Sequence, residues 1–324
     1  MIADHHDRDD GFLRVAGQAM RTSPGPAAVD ALGWWDLLPD LADPDARAAV
    51  FAVFRAQGRE LADAPVLAAL LAQPYLDRTA VVSGTVLAAT RRHSAGRGPV
   101  WVLIGHLGGR SLLFDDRRRG AFLVDPDDVE LRPVELPGRA TVHEVSVDLS
   151  RRQPLMTGTD AAQARSRSTY LGRVAASSEI LGAAERTVEL AVDYAGARQQ
   201  FGKPIGTFQA VRHLLAWART DCIALDNVVD RAIAQLEHPP ARYDEVVKAL
   251  AGRNGRRACE RTLQVLGGIG FTAEHPHHHH HSRVLLLDAL LGTSVELSHG
   301  LGSWLRTTGT DPGYAQATLL GEVG

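Results

Sequence analysis

Apolar and polar positions change rhythm twice along the chain. Over 11–71 the apolar residues recur at helical spacing, most clearly in an amphipathic run over 46–61. Trp34-Trp35 precede that run, and Pro39, Pro44 and Pro65 punctuate it. Asp43-Pro44 reads as an N-cap followed by a first helical residue. Residues 1–10 are polar and read as a frayed end. From Thr79 the texture turns to short apolar runs at 80–88, 99–105, 111–114, 121–124, 129–136 and 140–149, separated by Gly, Pro, Asp and Arg clusters. Val145, Val147 and Leu149 alternate with Ser146 and Asp148, the period of a half-buried strand, so this stretch predicts a compact antiparallel β domain. A polar link over 150–167 follows. Helical periodicity then returns over 169–197, 207–237, 242–265 and 283–305, lengths that suit an antiparallel bundle.

The expected fold is therefore α+β, mainly α, with boundaries at 1–77, 78–155 and 156–324. Helices are segregated from strands rather than alternating with them, which argues against a doubly wound nucleotide fold.

The 324 residues include 45% hydrophobic and 23% charged side chains, with a formal net charge of −3. That profile fits a soluble globular chain and leaves no basic footprint for nucleic acid or an anionic membrane. Arg117-Arg118-Arg119 follows Asp115-Asp116 and reads as a solvated turn. The two cysteines, Cys222 and Cys259, lie in helical patterns without metal-ligand spacing, which suggests buried thiols in a reducing compartment. The start, MIADHHDRDD, lacks the layout of a signal peptide, and no stretch approaches the roughly 18 uninterrupted apolar residues of a membrane span. A cytoplasmic protein is the default expectation.

Chemistry concentrates where the helical pattern over 173–197 stops. Leu181, Ala184, Val188 and Ala191 form one stripe, while Arg186, Glu189 and Asp193 fall opposite. Gly202-Lys203-Pro204-Ile205-Gly206 breaks the helix, and Thr207 is the expected N-cap of the next one. Arg198, Phe201 and Gln209 surround that break; such a group can grip a phosphate and an adenine ring, and it also fits an ordinary hairpin with a solvated arginine. A second stretch, Gln264 to Gly270, is glycine-rich but follows a helix, so it is no dinucleotide loop. It reads either as a helix C-cap with a tight turn or as a place where a phosphate approaches the backbone. The run His277–His281 cannot face one metal ion as consecutive residues and reads as a solvated helix start.

Three segments in order, Arg198-Gln199-Gln200-Phe201-Gly202-Lys203-Pro204-Ile205-Gly206-Thr207-Phe208-Gln209, then Gln264 to Pro276, then Leu291-Gly292-Thr293, resemble the C-terminal half of the acyl-CoA dehydrogenase family. The resemblance runs from about Arg173 to Thr293. It implies an N-terminal helical domain, here shortened, a central β domain, here compact, and a C-terminal four-helix bundle through which members self-associate. It implies FAD as cofactor and an acyl-CoA thioester as substrate. Arg198, Phe201 and Gln209 match residues that reach across a subunit interface to the adenine dinucleotide. Gln264, Gly267 and Gly268 match a second contact, Thr293 a hydroxyl near the flavin, and Arg173 a position near the substrate.

The catalytic glutamate of that family does not carry over. Members place it either in a Tyr-Glu-Gly-Thr segment, where this chain has Leu291, or one residue before the arginine matching Arg173, where this chain has Gly172. Neither side chain accepts a proton, so no catalytic residue is expected. The loop that covers the flavin ring in full-length relatives is also missing. Short actinobacterial relatives of this form pair with a longer homologue in heteromeric dehydrogenases linked to steroid side-chain oxidation. The resemblance therefore implies an oxidoreductase subunit of lipid metabolism that is active only with a partner. Two other readings remain open: a repurposed enzyme using Glu179, Asp288 or Glu296 as acid or base, and a non-enzymatic oligomerisation protein.

Overall fold

The computed structural model describes residues 3–22, 25–81, 84–94, 97–136 and 138–309. Residues 82 and 83 of the first expected strand lie outside the described residues. The chain divides into two compact units, one of residues 1–53 and 62–175, the other of residues 54–61 and 176–324.

In the first unit, α1 (Ala3–Thr22), α2 (Pro26–Ala31), α3 (Trp34–Leu37), the first part of α4 (Pro44–Glu60) and α5 (Val66–Leu76) precede the strands. Helix α1 thus begins at Ala3, where the polar sequence suggested fraying. Asp43 caps α4 as expected: its Oδ2 accepts from the Ala46 amide at 2.8 Å. Helix α5 is apolar all round and buried along its whole length, as a helix without a wet face must be. It packs against β1.

The strands are β1 (Val86–Ser94), β2 (Arg97–Ile104), β3 (Ser111–Asp116), β4 (Gly120–Val124), β5 (Glu130–Pro133) and β6 (Val142–Ser146), in the order β4-β3-β1-β2-β6-β5. The β4-β3-β1 portion is buried on both faces, with Leu87, Leu112, Phe114, Ala121, Phe122 and Val124 at 0% exposure. This explains why those runs read as continuous rather than alternating. Strand β5 is an edge that ends in Pro133, where no ladder donor is needed. One pairing departs from the antiparallel expectation: Val86–Ala89 of β1 pairs in parallel with Ser111–Phe114 of β3. Residue alternation encodes which face is buried but not strand direction, so the sequence carried no sign of it.

Helix α6 (Gly158–Ala197) begins eleven residues before the periodicity suggested, absorbing part of the expected polar link. Small residues hide the stripe: Ala161, Ala164 and Ser168 are buried at helical spacing. The Ser168 hydroxyl donates to the Leu71 carbonyl at 2.7 Å, and the Arg165 guanidinium donates to Asp115 at 2.7 Å.

The second unit contains the end of α4, the later part of α6, a two-stranded hairpin of β7 (Gln199–Gln200) and β8 (Lys203–Pro204), then α7 (Gln209–Ala234), α8 (Tyr243–Leu266), α9 (His277–Asp288) and α10 (Ser294–Thr308). Phe208, not Thr207, is the residue at the N-cap of α7; the Thr207 hydroxyl instead donates back to the Pro204 carbonyl at 2.7 Å. The expected final helix over 283–305 is two helices, broken where Leu291 (φ +57) and Gly292 (φ +101) adopt backbone angles a helix cannot contain. The histidine run does open a helix, but it is not solvated: His277 and His280 are 0% and 4% exposed. Glycines permit close helix crossings here. A Cβ on Gly182 would collide with the Arg55 carbonyl, and one on Gly255 with the Ile180 side chain. No helix among the described residues is long and apolar enough to cross a membrane.

Candidate functional site

Two clusters of the sequence-derived residues lie on the second unit. The first sits where α6 turns into α7 and α8 ends. Ala191 and Ala195 of α6 and Val265 of α8 form a small core with Ile205, Val211, Leu214 and Leu215 packed on it. Packing at Ile205 and Val265 therefore brings the Arg198–Gln209 segment and the Gln264–Gly268 segment to one end of the α7–α8 hairpin.

The β7–β8 hairpin has Phe201 (φ +52) and Gly202 (φ +78) as its two turn residues. Positive φ at both positions is the geometry that suits Asn-Gly or Gly-Gly. A phenylalanine pays about 1–2 kcal/mol to adopt it. The ring gains little burial in return, because it is 90% exposed and touches Phe208 only edge-on, with centroids 6.1 Å apart. Strain held without compensating packing is a reason to look for a ligand. Arg198 and Gln209 are exposed on either side. The Arg198 backbone is anchored by its amide to the Tyr194 carbonyl (2.8 Å) and by its own carbonyl to the Ile205 amide (2.8 Å), while its guanidinium stays outside.

At the end of α8, Gly267 caps the helix with φ +62 and ψ −139, a conformation open only to glycine. Gly268 has no such requirement, and a Cβ on either glycine would meet nothing within 4 Å. Neither φ nor packing inside the chain requires a glycine at Gly268, and its backbone is open to close approach from outside. Gln264 is exposed beside them. An exposed guanidinium, an exposed aromatic face, two amides and a bare glycine backbone fit the anionic and heteroaromatic parts of a dinucleotide such as FAD.

The second cluster is the α9–α10 turn, which holds Leu291 and Thr293. Lys248 lies 16 residues before Gln264 on α8, about 24 Å along the helix axis at 1.5 Å per residue. It is fully buried, and its ammonium donates to the carbonyls of Asp288 (3.0 Å) and Gly292 (3.2 Å), with Asp288 Oδ1 3.7 Å away. The Asp288 carboxylate accepts from the Ser294 amide (2.9 Å) and hydroxyl (3.2 Å). It tucks in where Gly252 has no side chain. Thr293 caps α10 in a capping box: its hydroxyl accepts from the Glu296 amide (3.1 Å) and donates to Glu296 Oε2 (3.0 Å). The single donor of that hydroxyl is thus spent inside the chain. Sequence reasoning missed Lys248, although a lysine between Val247 and Ala249 on an apolar face was the available signal. Lys248→Met is expected to strand two buried carbonyls and lower stability by about 1–3 kcal/mol, read from thermal melting.

The carboxylates weighed as substitute bases are all engaged. Glu179 is buried, and its Oε1 accepts from Arg283 at 2.6 Å and its Oε2 from Gln57 at 3.2 Å. Asp288 and Glu296 serve the turn just described. In the first unit Arg173 is half-buried on α6 and Gly172 is buried. Cys222 and Cys259 are free and buried; burial pushes both thiols up to about 12, so neither is a thiolate near neutral pH. No group of three or more His, Cys, Asp or Glu among the described residues is arranged to hold a metal ion.

The chain is similar to known proteins in sequence and in fold. The model of the acyl-CoA dehydrogenase C-terminal domain family matches residues 158–296. Acyl-CoA dehydrogenase FadE34 of Mycobacterium tuberculosis is 32% identical over 292 residues, which are 87% of this chain and 35% of that relative. Acyl-CoA dehydrogenase IpdE2 of the same organism is 36% identical over 99 residues, 30% of each chain. The chain thus spans about a third of the length of the curated relatives it matches. Among solved structures, a variant of the Tcur3481-Tcur3483 steroid ACAD superposes with a TM-score of 0.74 at 21% identity, covering 94% of this chain and 99% of that one. The ChsE4-ChsE5 complex from Mycobacterium tuberculosis gives 0.69 at 20% identity, covering 92% and 97%. Butyryl-CoA dehydrogenase from Megasphaera elsdenii gives 0.70 at 18% identity, covering 92% and 98%. The helix–sheet–helix architecture is that of these enzymes.

Proposed function

We propose, from the premise that the chain belongs to the acyl-CoA dehydrogenase family through residues 158–296, that it is the base-lacking subunit of a heteromeric, FAD-dependent acyl-CoA dehydrogenase. The observation that carries this reading is the pairing of a strained, exposed contact face with vacant base positions. Arg198, Phe201, Gln209, Gln264, Gly267 and Gly268 face outward at one end of the α7–α8 hairpin, available to a dinucleotide held on another subunit. Leu291 and Gly172 stand where the resemblance places the family's glutamate.

In that division of labour FAD supplies the hydride acceptor for α,β-dehydrogenation of a thioester. The partner supplies the carboxylate that removes the α-proton, a role for which burial in an apolar pocket raises basicity. This chain's part is to bind and orient: Arg198 offers charge-assisted hydrogen bonds to the pyrophosphate, Phe201 a stacking face, and the amides of Gly267 and Gly268 further donors. Arg173, half-buried on α6, is assigned to the substrate side. The steroid dehydrogenase among the structural neighbours and the two-protein ChsE4-ChsE5 complex support a paired enzyme acting on a steroid or other lipid acyl-CoA. The chain divides functionally as 1–77, 78–155 and 156–324, with the cofactor contacts in the last segment.

A repurposed enzyme using its own carboxylates is disfavoured by the engagement of Glu179, Asp288 and Glu296 in internal hydrogen bonds. A colourless scaffold is separated from our reading by a substitution pair. Arg198→Ala is expected to lower flavin affinity of the paired enzyme about 10–100-fold, the weight of a charged hydrogen bond. Phe201→Gly is expected to weaken flavin binding while leaving the thermal midpoint of the isolated chain unchanged or higher, because glycine relieves the turn. Flavin titration of the pair, formed with a longer acyl-CoA dehydrogenase from the same source, checks both. Unaltered flavin affinity in both variants contradicts the assignment.

A further inference from the structure

The α7–α8 hairpin carries a strip of unsatisfied interface character that starts at the cofactor face. On α7, Trp217 is 56% exposed. The indole is held in place rather than left loose. Arg261 of α8 donates to the Trp217 carbonyl at 3.1 Å, sets its guanidinium 5.8 Å from the ring centroid and pairs with Asp221. One turn earlier, the His213 ring lies 6.2 Å away, tilted by 35°. On α8, Arg253 and Arg257 precede Arg261 at four-residue spacing and so share its face; both are exposed.

The charges on this strip do not balance. Asp221 serves Arg261, and Glu260 serves Arg256 at 3.6 Å. None of the described carboxylates pairs with Arg253 or Arg257, and Arg253 finds only the Asn254 amide oxygen at 3.3 Å. The helices run antiparallel, as Val265 packing near Val211 and Asn254 donating to the Asp221 carbonyl require. The strip is therefore continuous with Gln209 and Gln264 at the cofactor end. A rigid exposed tryptophan flanked by arginines has the composition of a binding hot spot. Uncompensated cations on the strip specify a counterpart bearing carboxylates. A second copy of this chain, docked about a two-fold axis centred on the strip, would set the same cations against each other.

We infer that this strip, comprising Trp217, Arg253, Arg257 and Arg261, is the docking surface for a non-identical, carboxylate-bearing partner subunit and disfavours pairing with a second copy. The inference rests on the heteromeric reading above and adds to it the determinant of partner choice: one continuous surface completes the cofactor site and selects the neighbour.

The test uses the full chain and the longer acyl-CoA dehydrogenase of the preceding experiment. Arg253→Glu/Arg257→Glu is expected to weaken their association at least 10-fold by sedimentation or interferometry, with Arg253→Lys/Arg257→Lys retaining it and both variants melting like the parent. Added salt should weaken the parental pair and leave the Glu variant little changed. The isolated chain should not dimerise under conditions where the mixed pair forms. A pair that forms equally well with the Glu variant overturns the docking strip alone. An isolated chain that dimerises as tightly as the mixed pair, with dimerisation abolished by Trp217→Ala, also overturns it, since the surface would then select itself. Absence of any mixed pair overturns the heteromeric reading as well.

Discussion

Replacing Arg283 by methionine will cost the chain about 3–5 kcal/mol of stability, the usual consequence of removing one member of a buried ion pair. Arg283 and Glu179 are 3% and 2% exposed, and the guanidinium donates to Oε1 at 2.6 Å. The Gln57 amide, which donates to Oε2 at 3.2 Å, is neutral and cannot replace the lost cation. The loss comes less from forfeited attraction than from a carboxylate left buried without its cation. Replacing both residues, as Glu179→Leu with Arg283→Met, should therefore recover most of the loss, because a packed apolar pair of similar volume carries no desolvation penalty. Urea denaturation of the parent, the single and the double variant measures the difference. A double variant as unstable as the single one would show that shape at this site matters more than charge.

Acid will destabilise the chain through the same helix. His277 and His280 begin α9 in buried positions, and burial, before any neighbouring charge, pushes their pKa down to about 4 and about 3. The cause is visible at His277. Its Nε2 lies 2.9 Å from the Thr262 hydroxyl and 3.0 Å from the Cys259 carbonyl. Thr262 spends its own proton on the Ala258 and Cys259 carbonyls, so Nε2 is the nitrogen that donates. Nδ1 is left buried with no partner, and a second proton there would have no acceptor. At His280, Arg186 and Arg283 add repulsion to burial.

Because both folded-state pKa values lie below the unfolded value of about 6.5, the unfolded chain takes up protons first as pH falls. The contribution of neutral histidines is complete above about pH 6.5. It is lost progressively between that pH and the folded values, at up to about 1.4 kcal/mol per pH unit for each group. Several kcal/mol should vanish between about pH 6.5 and 4.5. A His277→Gln/His280→Gln variant should start lower at neutral pH and show a flatter profile, which denaturant melts across that range would measure. An equal slope in parent and variant would move the cause to the carboxylates.

The sequence made the second unit's candidate contact segments legible and their support invisible. Arg198, Phe201, Gln209 and the glycine pair were found from local pattern, and they face outward together. Nothing local disclosed that Phe201 occupies a left-handed turn, because backbone angles depend on the β7–β8 pairing. The start of α6 was hidden since Ala161, Ala164 and Ser168 form a stripe of small residues that hydrophobicity underweights. The parallel β1–β3 pairing left no trace in alternation. His277 and His280 were misjudged as solvated, and the burial of Glu179 went unread, for one reason: polar residue types predict exposure on average, and tertiary partners such as Thr262 and Arg283 override that average. Lys248 belongs with them, buried beneath the turn that carries Leu291.

The central claim is that this polypeptide contributes nucleotide contacts and no proton acceptor. Anaerobic mixing with a saturated acyl-CoA, while flavin absorbance is followed, tests it most directly. The chain supplied with FAD alone should leave the flavin oxidised; joined to the longer subunit it should bleach the flavin, with the Arg198→Ala variant impaired through weaker cofactor retention. Bleaching by the lone chain at a rate matching the pair would mean that it owns a base, and the proposed division of labour would fall.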